Sequence, residues 1–84
     1  MKIVLYRDKH PSIYSWKHVN TAGYRKRRIL AYGLGEIAAW LQDRDLHLNM
    51  ENVRHKDIDG HWIVTTFWSD LTAEQEIEFR LTFG

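Results

Sequence analysis

The chain contains no cysteine. That excludes a disulfide framework and a thiolate zinc site, and it fits a reducing compartment. Proline occurs once, at Pro11, and glycine only five times. The N-terminal apolar run is just Ile3 to Tyr6, too short for a signal peptide or a membrane span. No internal repeat, linker or low-complexity tract interrupts the chain, and a soluble cytoplasmic protein is the expectation. The motifs of common catalysis are missing too. There is no nucleophile elbow, phosphate loop or His-Glu-x-x-His. His18 beside Arg25 or Lys26 could serve a small ribonuclease as base and phosphate clamps, and Glu76 with Glu78 could form a carboxylate pair. A surface histidine, expected by chance near a basic strand, and a solvated acidic face are the simpler explanations, because a carboxylate pair would also need a cleft. The expectation is a protein that is not an enzyme and has no catalytic residues.

What is present is compact and ring-rich. A chain of 84 residues makes one domain, 1–84, which buries roughly 60–68% of its unfolded surface. Four Trp, four Tyr and three Phe are many for that length. Large rings bury much area each, so they can substitute for a bigger core. The net charge of +1 hides a lopsided distribution. Residues 1–42 carry eight basic and two acidic side chains, a surplus of six positive charges. Residues 43–84 carry four basic and nine acidic ones, an excess of five negative charges. Such asymmetry points to a charged partner and says nothing about fold.

The fold class expected is α+β, a small single domain. Its antiparallel sheet would be a C-terminal three-stranded meander plus an N-terminal strand, with one principal helix on one face. In Ile77-Glu78-Phe79-Arg80-Leu81-Thr82-Phe83, apolar and polar residues alternate. This is the period of a strand, with Ile77, Phe79, Leu81 and Phe83 facing in. Asn52–Lys56 and His61–Trp68 are the other strands of the meander, joined at Asp59-Gly60, where glycine supplies positive φ. A two-residue loop would pair Ile58 with His61, and a bulged turn would shift the register by one. Ser69 to Ala73 then leads to the last strand, with room for a helical turn capped by Ser69, Asp70 or Thr72. Leu34, Ile37, Ala38 and Leu41 make one helical stripe, so the helix runs from Leu34 to about Arg44. The run Ile3-Val4-Leu5-Tyr6 reads as a central strand buried on both faces.

Residues 12–32 have two readings. In one, Ile13–Val19 and Tyr24–Tyr32 form a hairpin about Asn20-Thr21-Ala22-Gly23. In the other, a long helix starts from a cap at Asn20 or Thr21 and continues through Arg44. Gly33 and Gly35 each cost a helix interior about 1 kcal/mol, so the hairpin is the expectation.

On that hairpin the basic run Arg25-Lys26-Arg27-Arg28 would alternate between two faces beside Tyr14, Trp16, Lys17 and Tyr24. Cations neutralise phosphates and rings stack on unpaired bases, so these eight residues are the candidate nucleic-acid-binding set. Trp16, Gly23-Tyr24-Arg25-Lys26-Arg27-Arg28 and Glu36-Ile37-Ala38-Ala39-Trp40-Leu41 follow one another as in a basic hairpin and its short helix. In this the segment resembles the arm-site DNA-binding domains of tyrosine-recombinase integrases. The resemblance covers about a third of the chain, has no diagnostic motif, and implies DNA contact by the hairpin. The alternative partner is a protein, whose surface this chain would cover as an inhibitor or adaptor of the kind phages and mobile elements encode. Trp, Tyr and Arg are common interface anchors, and an acidic half attracts proteins that themselves bind nucleic acid. His55-Lys56-Asp57-Ile58-Asp59-Gly60-His61 matches part of a calcium loop but lacks the other oxygen ligands and the terminal glutamate. Neither a metal nor a cofactor is expected.

Overall fold

The computed structural model describes residues 1–12, 19 and 21–84. Their order is β1 (Lys2–Pro11), α1 (Ala22–Ala31), α2 (Gly35–Gln42), β2 (Asn49–Asp57), β3 (Gly60–Asp70) and α3 (Ala73–Phe83). The sheet is antiparallel, in the order β1-β3-β2. The chain is thus a small α+β domain, and among the described residues no helix is long and apolar enough to cross a membrane.

The expected meander is overturned at its third strand. The partner of β3 on its second edge is β1, and the C-terminal segment is the helix α3. Thr72 starts that helix through a capping box, accepting from the Gln75 amide at 3.1 Å while the Gln75 side chain accepts from the Thr72 amide at 2.9 Å. Two otherwise unpaired donors are satisfied at once, which strongly favours a helix start. Helical geometry then splits the alternating set in two. Phe79 and Phe83, one turn apart, face inward, and Phe79 is 5% exposed. Ile77 and Leu81, also one turn apart, point outward at 60% and 84% exposure. Period two in the sequence is here two helical i, i+4 pairs on opposite sides.

The N-terminal strand also departs from expectation. β1 is an edge strand, and its continuous apolar run comes from a bulge between Val4 and Tyr6. The extra residue shifts the alternation by one. Ile3, Leu5 and Tyr6 therefore all serve the helix side of the sheet, where Tyr6 packs 4.7 Å from the Tyr32 ring. Val4 goes to the other face and is 46% exposed.

Neither reading of residues 12–32 survives whole. Residues 13–18 and 20 lie outside the described residues, but Tyr24 to Ala31 is helix, so the expected second hairpin strand is absent. Thr21 caps α1 by accepting from the Tyr24 amide at 3.2 Å. The helix stops at Gly33, whose φ is +67°. There the Leu34 amide donates to Ile29 O and the Gly33 amide to Leu30 O. This paired termination uses a left-handed residue, which glycine adopts without steric cost. Gly33 divides a would-be long helix into α1 and α2, while Gly35 sits inside α2.

The helices cover one face of the sheet. Ile63, Thr65, Phe67 and Ser69 of β3 point into that layer, and all are essentially unexposed. The core joins Ile3, Leu34, Trp40, Leu41, Leu48, Phe67, Leu71 and Phe79, with Trp40 and Phe79 edge to face at 5.6 Å. The helix stripe is as expected, with Leu34 and Leu41 buried and Ile37 and Ala38 packed against the core. Val19, Tyr24 and Ile63 form a second cluster, which Met50 packs against from β2. The buried polar groups are paired: Thr65 donates to Asn52 at 2.7 Å, Asn52 to Val19 O at 3.0 Å, and Ser69 to His47 O at 2.7 Å.

Helix and strand make opposite demands on the C-terminal segment, and mutation separates them. Phe79→Ala should cost about 3–5 kcal/mol, whereas Leu81→Ala should stay within about 0.5 kcal/mol. Equal losses in thermal melts would restore the strand.

Candidate nucleic-acid interface

The basic run lies on α1, and helical geometry separates its members. Lys26 and Arg27 are exposed, whereas Arg25 and Arg28 are half-buried. Tyr24 is 7% exposed and belongs to the core, so its ring is not offered to a base. Tyr14, Trp16 and Lys17, the other members of the predicted set, fall outside the described residues. The structure thus brings Tyr24, Arg27 and Arg28 together around a cleft of about 300 Å³ that Ala31 completes. The resemblance to integrase arm-site domains needs a basic hairpin where this chain has a helix.

Strand pairing builds a second surface that sequence reasoning did not single out. Among the described residues, the helices leave one sheet face uncovered. By the register, Lys2, Val4, Arg7 and Lys9 of β1 lie on it beside Trp62, Val64, Thr66 and Trp68 of β3. Glu51, Val53, His55 and Asp57 of β2 complete it on the far side. The face is striped. Cations line the β1 edge, rings and small apolar groups fill the centre, and carboxylates line the β2 edge.

Each end of the stripe is a clasp. Lys2 Nζ sits 4.8 Å from the Trp68 ring and reaches Glu51 across β3 at 3.4 Å. Lys9 Nζ sits 5.0 Å from the Trp62 ring and reaches Asp57 at 3.3 Å. Both carboxylates thus hold an ammonium over an indole, a favourable cation–π placement. Between the clasps lies a shallow groove of about 350 Å³ lined by Val4, Arg7, Val53, His55, Val64 and Thr66 among others. Val53 is 54% exposed there, a large apolar group left in water. No ion-pair partner is found for Arg7 among the described residues.

The hairpin turn anchors the Trp62 clasp. Asp57 pairs with Gly60 around the loop Ile58-Asp59, one residue off the simple Ile58–His61 register, and Gly60 has φ +128°. Asp57 Oδ1 accepts from the Asp59 amide at 2.9 Å and from Trp62 Nε1 at 3.1 Å. Partial desolvation works against the Asp57 carboxylate, but these two hydrogen bonds and the Lys9 ammonium prevail and hold its pKa below the ordinary aspartate value. The histidines and aspartates of this turn do not converge: no group of three or more His, Cys, Asp or Glu able to hold a metal occurs among the described residues.

Sequence reasoning missed Lys2, Arg7, Lys9, Trp62 and Trp68 because it placed β1 in the centre of the sheet and did not separate the faces of β3. A signal was there. Trp62, Val64, Thr66 and Trp68 alternate with Ile63, Thr65, Phe67 and Ser69, so one of the two sets had to face away from the helices.

The lowered Asp57 pKa has a definite sign. A depressed folded-state value contributes stability above the unfolded carboxyl pKa, and that contribution is lost as pH falls through the folded one. The difference in melting temperature between wild type and Asp57→Asn should therefore be constant near neutrality and shrink below about pH 4. A pH-independent difference would contradict the clasp. Comparison of the chain with protein-family models, curated proteins and solved structures found no match.

Proposed function

We propose that this protein is a small non-enzymatic module that binds single-stranded nucleic acid in the cytoplasm. The observation that carries this reading is the uncovered sheet face, where Lys2, Arg7 and Lys9 run along β1 next to Trp62 and Trp68 of β3. Single strands are held by a cationic track for the backbone and by rings for the bases. A strand laid along β1 would set its phosphates against the three cations. Its bases would lie across β3, between two indoles six residues apart, about 20 Å in an extended chain. The lysines now resting on the rings would move outward to the phosphates as bases replace them. Glu51 and Asp57, freed of their lysines, could accept from base amino groups. Duplex DNA suits this face less well, because its bases are stacked and its grooves admit a helix or ribbon, not a sheet face.

A protein partner is the second reading, and one observation favours it. Ile77 and Leu81 form an exposed apolar pair on α3, beside Glu74 and Glu78. An inhibitor or adaptor could use that helix to cover a basic partner.

Titrating short single-stranded and duplex oligonucleotides separates these readings. Three neutralised phosphates give a log–log salt slope of about −2 for a single strand. Arg7→Gln should reduce that slope by about 0.7. Trp62→Ala or Trp68→Ala should each cost about 1–3 kcal/mol of binding. Circular dichroism of each variant confirms that the fold persists. Tight binding to duplex alone, or no binding at low salt, would reject the sheet-face reading and turn attention to α3.

A further inference from the structure

The cleft on α1 belongs to the opposite layer of the molecule from the open sheet face. Among the described residues, Arg27 and Arg28 line it with Tyr24 and Ala31, and no carboxylate does. The Arg28 guanidinium lies 4.9 Å from the centre of the Tyr24 ring and 5.9 Å from that of Tyr32. Desolvation opposes its charge, but the two tyrosines outweigh that effect and raise its pKa. Asp8, the carboxylate bonded to Tyr32, is engaged on the far side of that ring. It accepts from the Tyr32 hydroxyl at 2.7 Å and faces His10 Nδ1 at 3.3 Å. Two guanidinium groups, one of them half-buried, thus converge on a cleft with no counter-charge in its lining.

Behind the cleft stands a hydrogen-bonded relay. His10 Nε2 is 2.7 Å from the Tyr24 hydroxyl. With the Asp8 carboxylate 3.3 Å from Nδ1, electrostatics favours the neutral tautomer that carries its proton on Nδ1, facing that charge. The opposite tautomer would set a lone pair against Asp8. Nε2 then accepts the Tyr24 proton. Protonation of His10 reverses this last bond: Nε2–H donates to the phenol oxygen, and the Tyr24 hydrogen must turn to another acceptor.

We propose that the Arg27–Arg28 cleft binds a phosphate group, and that protonation of His10 strengthens the site by releasing the Tyr24 hydroxyl as a third donor. The ligand is a tetrahedral oxyanion, either a nucleic-acid phosphate or a free phosphate. Arg27 and Arg28 supply planar forks suited to its oxygens, and Arg28 is already oriented by its stacking on two rings. The groups facing His10 among the described residues are Asp8 on its own strand, Tyr24 and Arg28 from α1, Tyr32 beyond α1, and the apolar Ile63 across the sheet. Desolvation and Arg28 lower the His10 pKa, against Asp8, which raises it. Burial and the Arg28 charge thus disfavour the imidazolium, and an oxyanion beside Arg28 would offset the cationic neighbour.

Sulfate is the probe for the pH dependence, because its charge is constant across the range in which histidine and phosphate both titrate. In a nuclear magnetic resonance titration of the whole chain, sulfate should shift the side-chain resonances of Arg27, Arg28 and Tyr24, and chloride at equal ionic strength should not. Binding should be at least about fivefold tighter at pH 5 than at pH 8, and by linkage sulfate should raise the His10 pKa. Arg27→Gln, at an exposed position, should weaken binding at both pH values. His10→Gln should remove the pH dependence and leave binding in place. A single strand carrying a terminal phosphate should compete with sulfate better than one without it if the site takes chain ends, and equally if it takes backbone. Unmoved Arg28 and Tyr24 resonances, or an unchanged His10 pKa in saturating sulfate, would overturn the proposal. Neither result would bear on oligonucleotide binding at Trp62 and Trp68, so the two sites fail separately.

Discussion

β3 is paired along both edges, yet among the described residues only one of its faces is covered, and the rest of the fold follows from that constraint. Ile63, Thr65, Phe67 and Ser69 are essentially unexposed beneath the helices. A polar group at such depth must be partnered, and Thr65 and Ser69 reach Asn52 and His47 O. The helices reinforce the same layer, with Trp40 of α2 meeting Phe79 and Phe83 of α3 in an aromatic cluster. Arg44 stacks 3.9 Å from the centre of the Trp40 ring and pairs with Glu78, tying the end of α2 to α3. With three helices among the described residues on one side, the other set of β3 residues remains for solvent or for a partner.

That division distributes charge as well. The basic surplus of the first half appears in two places, along β1 on the open face and along α1 on the closed one. The acidic excess of the second half lies partly on β2, where Glu51 and Asp57 hold Lys2 and Lys9, and partly on α3, whose first turn carries Glu74 and Glu76. Carboxylates in a helical first turn favour the helix through its dipole. An acidic patch there reads first as helix stabilisation and only secondarily as an attraction for partners. The β1 cations have no such local role beyond the two clasps, and Arg7 lies outside both.

How much of this was legible in the sequence depends on the element. The α2 stripe of Leu34, Ile37, Ala38 and Leu41 was readable because a 3.6-residue period repeats over two turns. The β2–β3 hairpin was readable from Asp59-Gly60. The C-terminal helix was not, because Ile77, Phe79, Leu81 and Phe83 satisfy a strand period, while the decisive Thr72-x-x-Gln75 capping box lies before them. β1 misled through its bulge, which makes four consecutive apolar residues resemble burial on both faces. Gly33 was correctly seen as an obstacle to a long helix, but it ends α1 and does not belong to a hairpin. The candidate site was half legible. Basic and aromatic residues do stand side by side in the fold, yet the densest basic run lies on a helix that buries Tyr24. The rings and cations that stand side by side are far apart in sequence and are joined only by the β1–β3 register.

The central claim is that the uncovered sheet face receives a single strand. The most direct measurement is chemical-shift mapping of the whole chain with a short single-stranded oligonucleotide at low salt. The account predicts that the indole resonances of Trp62 and Trp68 and the amides of Arg7, Lys9, Val64 and Thr66 move together, while Phe79 and Leu41 stay fixed. Perturbations confined to α3, around Ile77 and Leu81, with silent indoles at positions 62 and 68, would contradict it.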